Sequence, residues 1–465
     1  MLELKEIKIR IKVSNLFLDF SIPELHNKVS KSVISFKDMA EMTIKVIDEK
    51  EPKVRALVSY DNKKFLLDSE AAWSEYKSRG SLLGLDGIPF GVKDIFNTNF
   101  YPTQMGSELW KDFTPGNNAR VVDSLLLAGG VLSCKTVTAE FAVHALNETI
   151  NPHDATKTPG TSSSGSATAV ATGMVPYALA TQTAGSIIRP ASFCGVWGMK
   201  PSFGMIPRTG VLKTTDTLDT IGFIAAHGKS LKPILDEIRV KGPNYPFVYK
   251  NVDSYEIADK KNSKKRAIRV GFIKTHVWDN AKDYVKEAVL GLVNRISIED
   301  GYEIQEIEWP SILNSSHKVH DTIYSKSLSY YFSNESKYHK SISPLMNKMI
   351  EKGILISPEN FRDALIKQSD YCQIIDKLLS SFDFVLSIGT SSSAPLREEK
   401  ELDDPSLIWT LGHLPSIGVP AFRCPQGMPF GVQFVGKKWS DYKLIDGIEE
   451  LISRGILPSG SKSIL

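Results

Sequence analysis

Between residues 5 and 13 the chain alternates, with Ile7, Ile9, Ile11 and Val13 on one parity and Lys8, Arg10 and Lys12 on the other. That is the period of a strand with one covered face. After Ser35 the period changes. Ser35 and Asp38 have the spacing of a capping box, and Phe36, Met39, Ala40, Thr43, Val46 and Ile47 recur at helical intervals, which predicts a helix packed on the core. A strand at 56–60, a helix through Ala71 and Ala72, a short strand from the Gly87/Pro89 turn into Lys93, a helix at 121–128 and a strand at 131–134 follow. Farther on, the pattern predicts a helix at 283–298, strands near 303–308 and 382–388, and a closing strand at 431–436. Helical and strand periods interleave along the chain, so the fold class is α/β.

The stretch from 157 to 204 departs from both periods, being rich in serine, glycine and alanine. Pro159, Gly160 and Gly165 break a helix, which puts residues 161–164 on a loop ahead of a small-residue helix at 167–173. An apolar run at 175–180 leads into 181–186, where Ala184 and Gly185 let the backbone come close to whatever Ser186 faces. Upstream, Lys93 ends a buried strand. Burial strips water from an ammonium and lowers its pKa from about 10.4, opening the neutral, basic form. The alternative is a surface lysine paired with Asp94.

These residues resemble the amidase signature family. A glycine–serine loop, a small-residue helix, the segment T-Q-T-A-G-S and the run R-P-A-S-F-C-G-V occur in that order. The resemblance spans roughly residues 21–451. It implies a mixed central β-sheet flanked by helices, with residues 1–20 an N-terminal extension, 21–465 the signature domain and a variable helical middle at about 240–380. It also implies a Ser-cis-Ser-Lys triad that cleaves amides through an acyl-enzyme. Lys93 matches the base, Ser162 the serine that follows a cis peptide, and Ser186 the nucleophile; the backbone N–H groups of Thr183, Ala184, Gly185 and Ser186 match the oxyanion donors. Three positions depart from the commonest pattern: Thr161 and Ala184 replace glycines, and Gln182 stands where many members carry aspartate. An alanine still donates its N–H if its backbone angles suit an L-residue. Gln182 removes a negative charge near the pocket, which fits the glutamyl-tRNA amidotransferases less well. Arg189 could hold a substrate carboxylate bidentately or form a structural ion pair, and both roles stay open.

Composition narrows the partners. The formal net charge is +3 because Lys and Arg are almost balanced by Asp and Glu, so no nucleic acid is expected, and the basic run at 260–266 reads as a solvated loop. The four cysteines, Cys134, Cys194, Cys372 and Cys424, lack C-x-x-C spacing, which argues against a disulfide framework or a zinc site. No stretch reaches the roughly 20 apolar residues of a membrane span, and the N-terminus lacks a signal-peptide core. A cytoplasmic enzyme with no metal and no cofactor is expected, acting on a small-molecule amide and away from membranes; a homodimer is left open.

Competing motifs fail on spacing. Gly228, Lys229 and Ser230 suggest a P-loop whose first glycine would fall at Phe223, and the G-T-S-S-S at 389–393 repeats that at 160–164 without the helix or partner segment that follows it. No G-x-S-x-G occurs, and the nine histidines lie away from the motifs in sequence, against a Ser-His-Asp hydrolase. The aromatic segment between His317 and His339, with Tyr324, Tyr330, Tyr331, Phe332 and Tyr338, shapes a pocket or serves helix packing. The leading expectation is hydrolysis of an amide C–N bond. The same triad could instead form an amide by acyl transfer or serve an amidotransferase, and a silent binding protein is the third class.

Overall fold

The structure, a computed structural model, describes residues 15–253 and 266–461. The strand expected at 5–13 lies outside the described residues. Among those described, eleven strands form one sheet: β1 (Leu57–Tyr60), β2 (Pro89–Lys93), β3 (Val131–Thr136), β4 (Tyr177–Gln182), β5 (Trp197–Lys200), β6 (Thr220–Ala225), β7 (Ile268–Ile273), β8 (Tyr302–Ile307), β9 (Phe384–Ile388), β10 (Ser416–Arg423) and β11 (Pro429–Val435). Their order is β1-β3-β2-β4-β6-β5-β10-β11-β9-β7-β8. β2 runs parallel to β3 and β4, and β7 to β8 and β9, while the other neighbours are antiparallel. The sheet is therefore mixed, with helices flanking it.

Strand β4 shows how the small residues are used. Successive side chains of a strand point to opposite faces, so Tyr177 and Leu179 enter the main core, while Ala178 and Ala180 enter a second core with Ala167, Ala169, Val170 and Ala191. Alanine on this face lets the helices Ser164–Ala171 and Ile188–Cys194 lie close to the sheet. The first of these starts earlier than the sequence suggests, with Gly165 inside its first turn rather than breaking it. A Cβ there would collide with the Ala56 carbonyl and the Val137 amide. Gly165 thus marks a close backbone approach, not a helix stop.

The helix after Ser35 spans Phe36–Val54 behind the expected capping box, and its six helical-period positions are all buried. Between β8 and β9 the helices Ser316–Tyr331, Pro344–Leu355 and Pro358–Leu379 are inserted, the last two opened by a serine N-cap followed by proline. The helix Ser316–Tyr331 matters most for function, because it carries His320 and Tyr324 to the loop that follows β4. No described helix is long and apolar enough to cross a membrane, and Cys134, Cys194, Cys372 and Cys424 are free.

Candidate active site

Lys93 is the last residue of β2 and has no exposed surface. Its Nζ lies 2.8 Å from Ser162 Oγ, 3.0 Å from Ser163 Oγ and 3.0 Å from Thr181 Oγ1. Burial pushes the lysine well below its usual pKa, and the Asp219 carboxylate acts more weakly in the opposite direction. Asp94, the partner a surface lysine would have used, is engaged elsewhere: it pairs with the buried Lys135 at 3.0 Å. Three hydroxyls around a desolvated amine suit a neutral nitrogen that accepts a proton from one of them.

The peptide between Thr161 and Ser162 is cis. Its surroundings are well defined: the Ser162 carbonyl accepts from Ala139 N at 3.0 Å, and the Thr161 carbonyl accepts from the Arg189 guanidinium at 2.7 Å. Ser163 turns its hydroxyl towards the Thr181 carbonyl at 3.3 Å. Ser162 thus sits directly on Lys93, between the start of the small-residue helix and the end of β4.

Ser186 is 3% exposed and ends the loop that joins β4 to the helix Ile188–Cys194. Gln182, the departure noted in the sequence, caps that helix: its Oε1 accepts from Ile187 N at 2.8 Å and Ile188 N at 3.0 Å. Among the described residues, no hydrogen bond takes up the N–H groups of Ala184, Gly185 or Ser186, whereas the carbonyls of Thr183, Ala184 and Gly185 are all held. Thr183 O accepts from His320 Nε2 at 2.8 Å, Ala184 O from Thr410 Oγ1 at 2.6 Å, and Gly185 O from Arg189 N at 2.9 Å. Ala184 keeps a negative φ, so the alanine fits without backbone strain.

Arg189 is buried and already engaged. Its guanidinium pairs with Glu401 at 3.0 Å and Asp404 at 3.1 Å, and touches His144 Nδ1 at 3.2 Å. Arginine has no acceptor, so His144 Nδ1 accepts and its proton sits on Nε2; burial first, then Arg189, push this histidine down to about 3. Of the two roles open for Arg189, these partners are those of a structural ion pair, and an incoming carboxylate would have to compete with both acids. Two histidines therefore reach the site, but neither bonds to a serine hydroxyl: His144 serves Arg189 and His320 serves a backbone carbonyl.

A cavity of about 180 Å³ opens beside these groups. Thr181 and Thr183 line it with Ile95, Leu212 and Ile221, so one wall is shared with the lysine cluster and the rest is largely apolar. Asp219 closes another side; it accepts from Thr183 Oγ1 at 2.9 Å and from both the amide and hydroxyl of Thr214 at 2.7 Å. Tyr324 is buried, its ring 5.6 Å from that of His320, and Phe332 packs on Phe141 at 4.8 Å, whereas Tyr330 and Tyr338 are exposed. The aromatic segment thus divides between site and surface. The G-T-S-S-S at 389–393 is structural: Thr390 bonds to Ser192 at 2.8 Å and Ser391 to the Asp403 carbonyl at 2.9 Å.

His320, Thr410, Asp404, Glu401 and His144 have no local motif, so sequence reasoning passes over them. Only the aromatic density around Tyr324 points towards this part of the chain.

Comparison with known proteins agrees with this architecture. The chain belongs to the Amidase (amidase signature) family, whose model matches residues 38–445. It is 28% identical over 464 residues to the first of the glutamyl-tRNA(Gln) amidotransferase subunits of Staphylococcus aureus, covering 91% of this chain and 95% of that protein. In structure it is similar to a peptide amidase from Stenotrophomonas maltophilia, with a TM-score of 0.77, 22% identity and coverage of 94% and 97% of the two chains. It is also similar to a 6-aminohexanoate cyclic dimer hydrolase, with a TM-score of 0.81, 20% identity and coverage of 95% and 98%.

Proposed function

We propose that this chain is an amidase that cleaves the C–N bond of a small-molecule amide, with Ser186 as nucleophile, Ser162 as proton relay and Lys93 as base. Ser186 Oγ attacks the carbonyl carbon while its proton passes through the Ser162 hydroxyl to neutral Lys93. The backbone N–H groups of Thr183, Ala184, Gly185 and Ser186 receive the developing oxyanion. The C–N bond then breaks, the relay returns the proton to the departing nitrogen, and water hydrolyses the Ser186 ester. The observation that carries this reading is the buried Lys93 amine, held at 2.8 Å from Ser162 with its pKa driven down by burial.

A second reading keeps the acyl-enzyme and changes its acceptor. The 28% identity to a protein named as part of an amidotransferase favours it, because such an enzyme releases ammonia or passes the acyl group to an amine instead of losing it to water. Turnover of acidic, neutral and aromatic amides by wild type and Ser186→Ala, with and without added amine, tests both. Free acid that disappears in the variant supports the amidase; product formed only when amine is present supports transfer; turnover that survives Ser186→Ala overturns both.

A further inference from the structure

The loop after β4 presents free N–H groups to the cavity side while the carbonyls of Thr183, Ala184 and Gly185 are all bound, and two of those bonds come from distant parts of the chain. We infer that His320 and Thr410 are positioning residues that aim the oxyanion donors, an inference that rests on the acyl-enzyme reading above. The peptide unit is planar and trans, so the carbonyl of one residue and the N–H of the next point in opposite directions. Holding Thr183 O therefore sets the direction of the Ala184 N–H, and holding Ala184 O sets that of Gly185 N–H. His320 does the first from the helix Ser316–Tyr331, 137 residues away in sequence, and Thr410 does the second from the helix Leu407–Leu411, 226 residues away.

The donor and acceptor roles follow from the neighbours. Gln182 Oε1 is occupied by two backbone amides, so its Nε2 faces Thr410 Oγ1, at 3.0 Å. Thr410 accepts that bond and has one proton left, which goes to Ala184 O at 2.6 Å. Gln182 thus caps the helix after the nucleophile and orients the threonine through its two ends. His320 is buried, and burial pushes it down to about 4; it is neutral at physiological pH with its proton on Nε2, aimed at Thr183 O. Buried backbone N–H groups are almost always paired. A loop carrying several free ones stays open to substrate only if its peptides are kept from rotating towards other acceptors. The two side chains supply that restraint, and bonding to each carbonyl also polarises the N–H on the far side of the same peptide.

The test uses Thr410→Val, which keeps the shape and removes the hydroxyl, Thr410→Ser, which restores it, and His320→Ala. Removing one oxyanion donor lowers kcat by about 100-fold or more, and misaiming one should cost about 10- to 100-fold. Thr410→Val and His320→Ala are expected to lower kcat by that amount with KM within about threefold, and Thr410→Ser to recover most of the loss. A boronic acid matching the acyl group, which mimics the tetrahedral adduct, should bind more weakly by a similar factor, while the free acid product binds as before. Equal weakening of boronic acid and product points to general damage to the pocket and overturns the inference, as does unchanged kcat in Thr410→Val. If instead wild type neither turns over amides nor reacts with a fluorophosphonate at Ser186, the acyl-enzyme reading itself fails, and the inference with it.

Discussion

Gly185 offers a sharp test of how the site is assembled. A Cβ at this position would lie 2.5 Å from Asp404 Cγ and 2.6 Å from Oδ1, closer to Oδ2 still. Real carbon contacts need about 3.5 Å or more, so Gly185→Ala must drive the carboxylate back by about 1 Å or rotate the loop. Neither movement is isolated. Asp404 holds Arg189 Nη1 at 3.1 Å and Ser406 N at 2.8 Å, and Arg189 in turn holds the Thr161 carbonyl next to Ser162 at 2.7 Å. Overpacking costs about 1–3 kcal/mol. At about 2.1 cal/mol/K of unfolding entropy per residue, a chain of 465 residues loses only about 1 °C of Tm per kcal/mol, so stability moves little. Activity should move much more, because the same displacement reaches both the oxyanion loop and the relay serine; we expect kcat to fall about 100-fold. The assay is a double-mutant cycle with Asp404→Ala. Removing the carboxylate removes the collision, so adding Gly185→Ala to that background should cost under about fivefold. Independent, additive losses in the cycle, or full activity in Gly185→Ala alone, would refute the reasoning.

Two further outcomes follow from the buried charges. Burial lowers the Lys93 pKa in the folded state, so at pH values below about 10.4 the unfolded chain binds more protons at this position, and folding stability rises with pH across that window by up to about 1.4 kcal/mol per unit. Lys93→Met lacks this dependence; chemical denaturation from pH 7.5 to 9.5 should show wild type gaining on the variant, and parallel curves would mean that Lys93 is charged in the folded protein. For Arg189, paired with Glu401 and Asp404, Arg189→Ala should lower kcat/KM by the same factor on acidic and neutral amides; a loss confined to acidic amides would restore a role in binding substrate carboxylates.

What is legible in the sequence depends on whether the cause is local. The helix Phe36–Val54 follows from a capping box and a helical period, and β4 follows from a short apolar run of fully buried residues. Lys93 and Ser162 can be paired because their motifs are dense, even with 69 residues between them. Gly165 misleads because helix breaking is a local tendency, while the absence of a Cβ here answers a demand from Ala56 and Val137 on other elements. His320 and Thr410 are the strongest case. One is a histidine on a helix of ordinary composition and the other a threonine on a short apolar turn; each acquires meaning only from a backbone carbonyl brought to it by the fold. Asp404 and Glu401 escape notice for the same reason, since an ion pair with Arg189 leaves no pattern in the chain between them.

The most direct measurement is the identity of the covalent intermediate. Rapid acid quenching during turnover of an activated anilide, followed by peptide mass spectrometry, should find the acyl group on the peptide carrying Ser186, with its formation slowed by about 100-fold or more in Lys93→Ala and no adduct in Ser186→Ala. An acyl group on Ser162 or on a cysteine, or a burst of aniline release with Ser186 unmodified, would contradict the account.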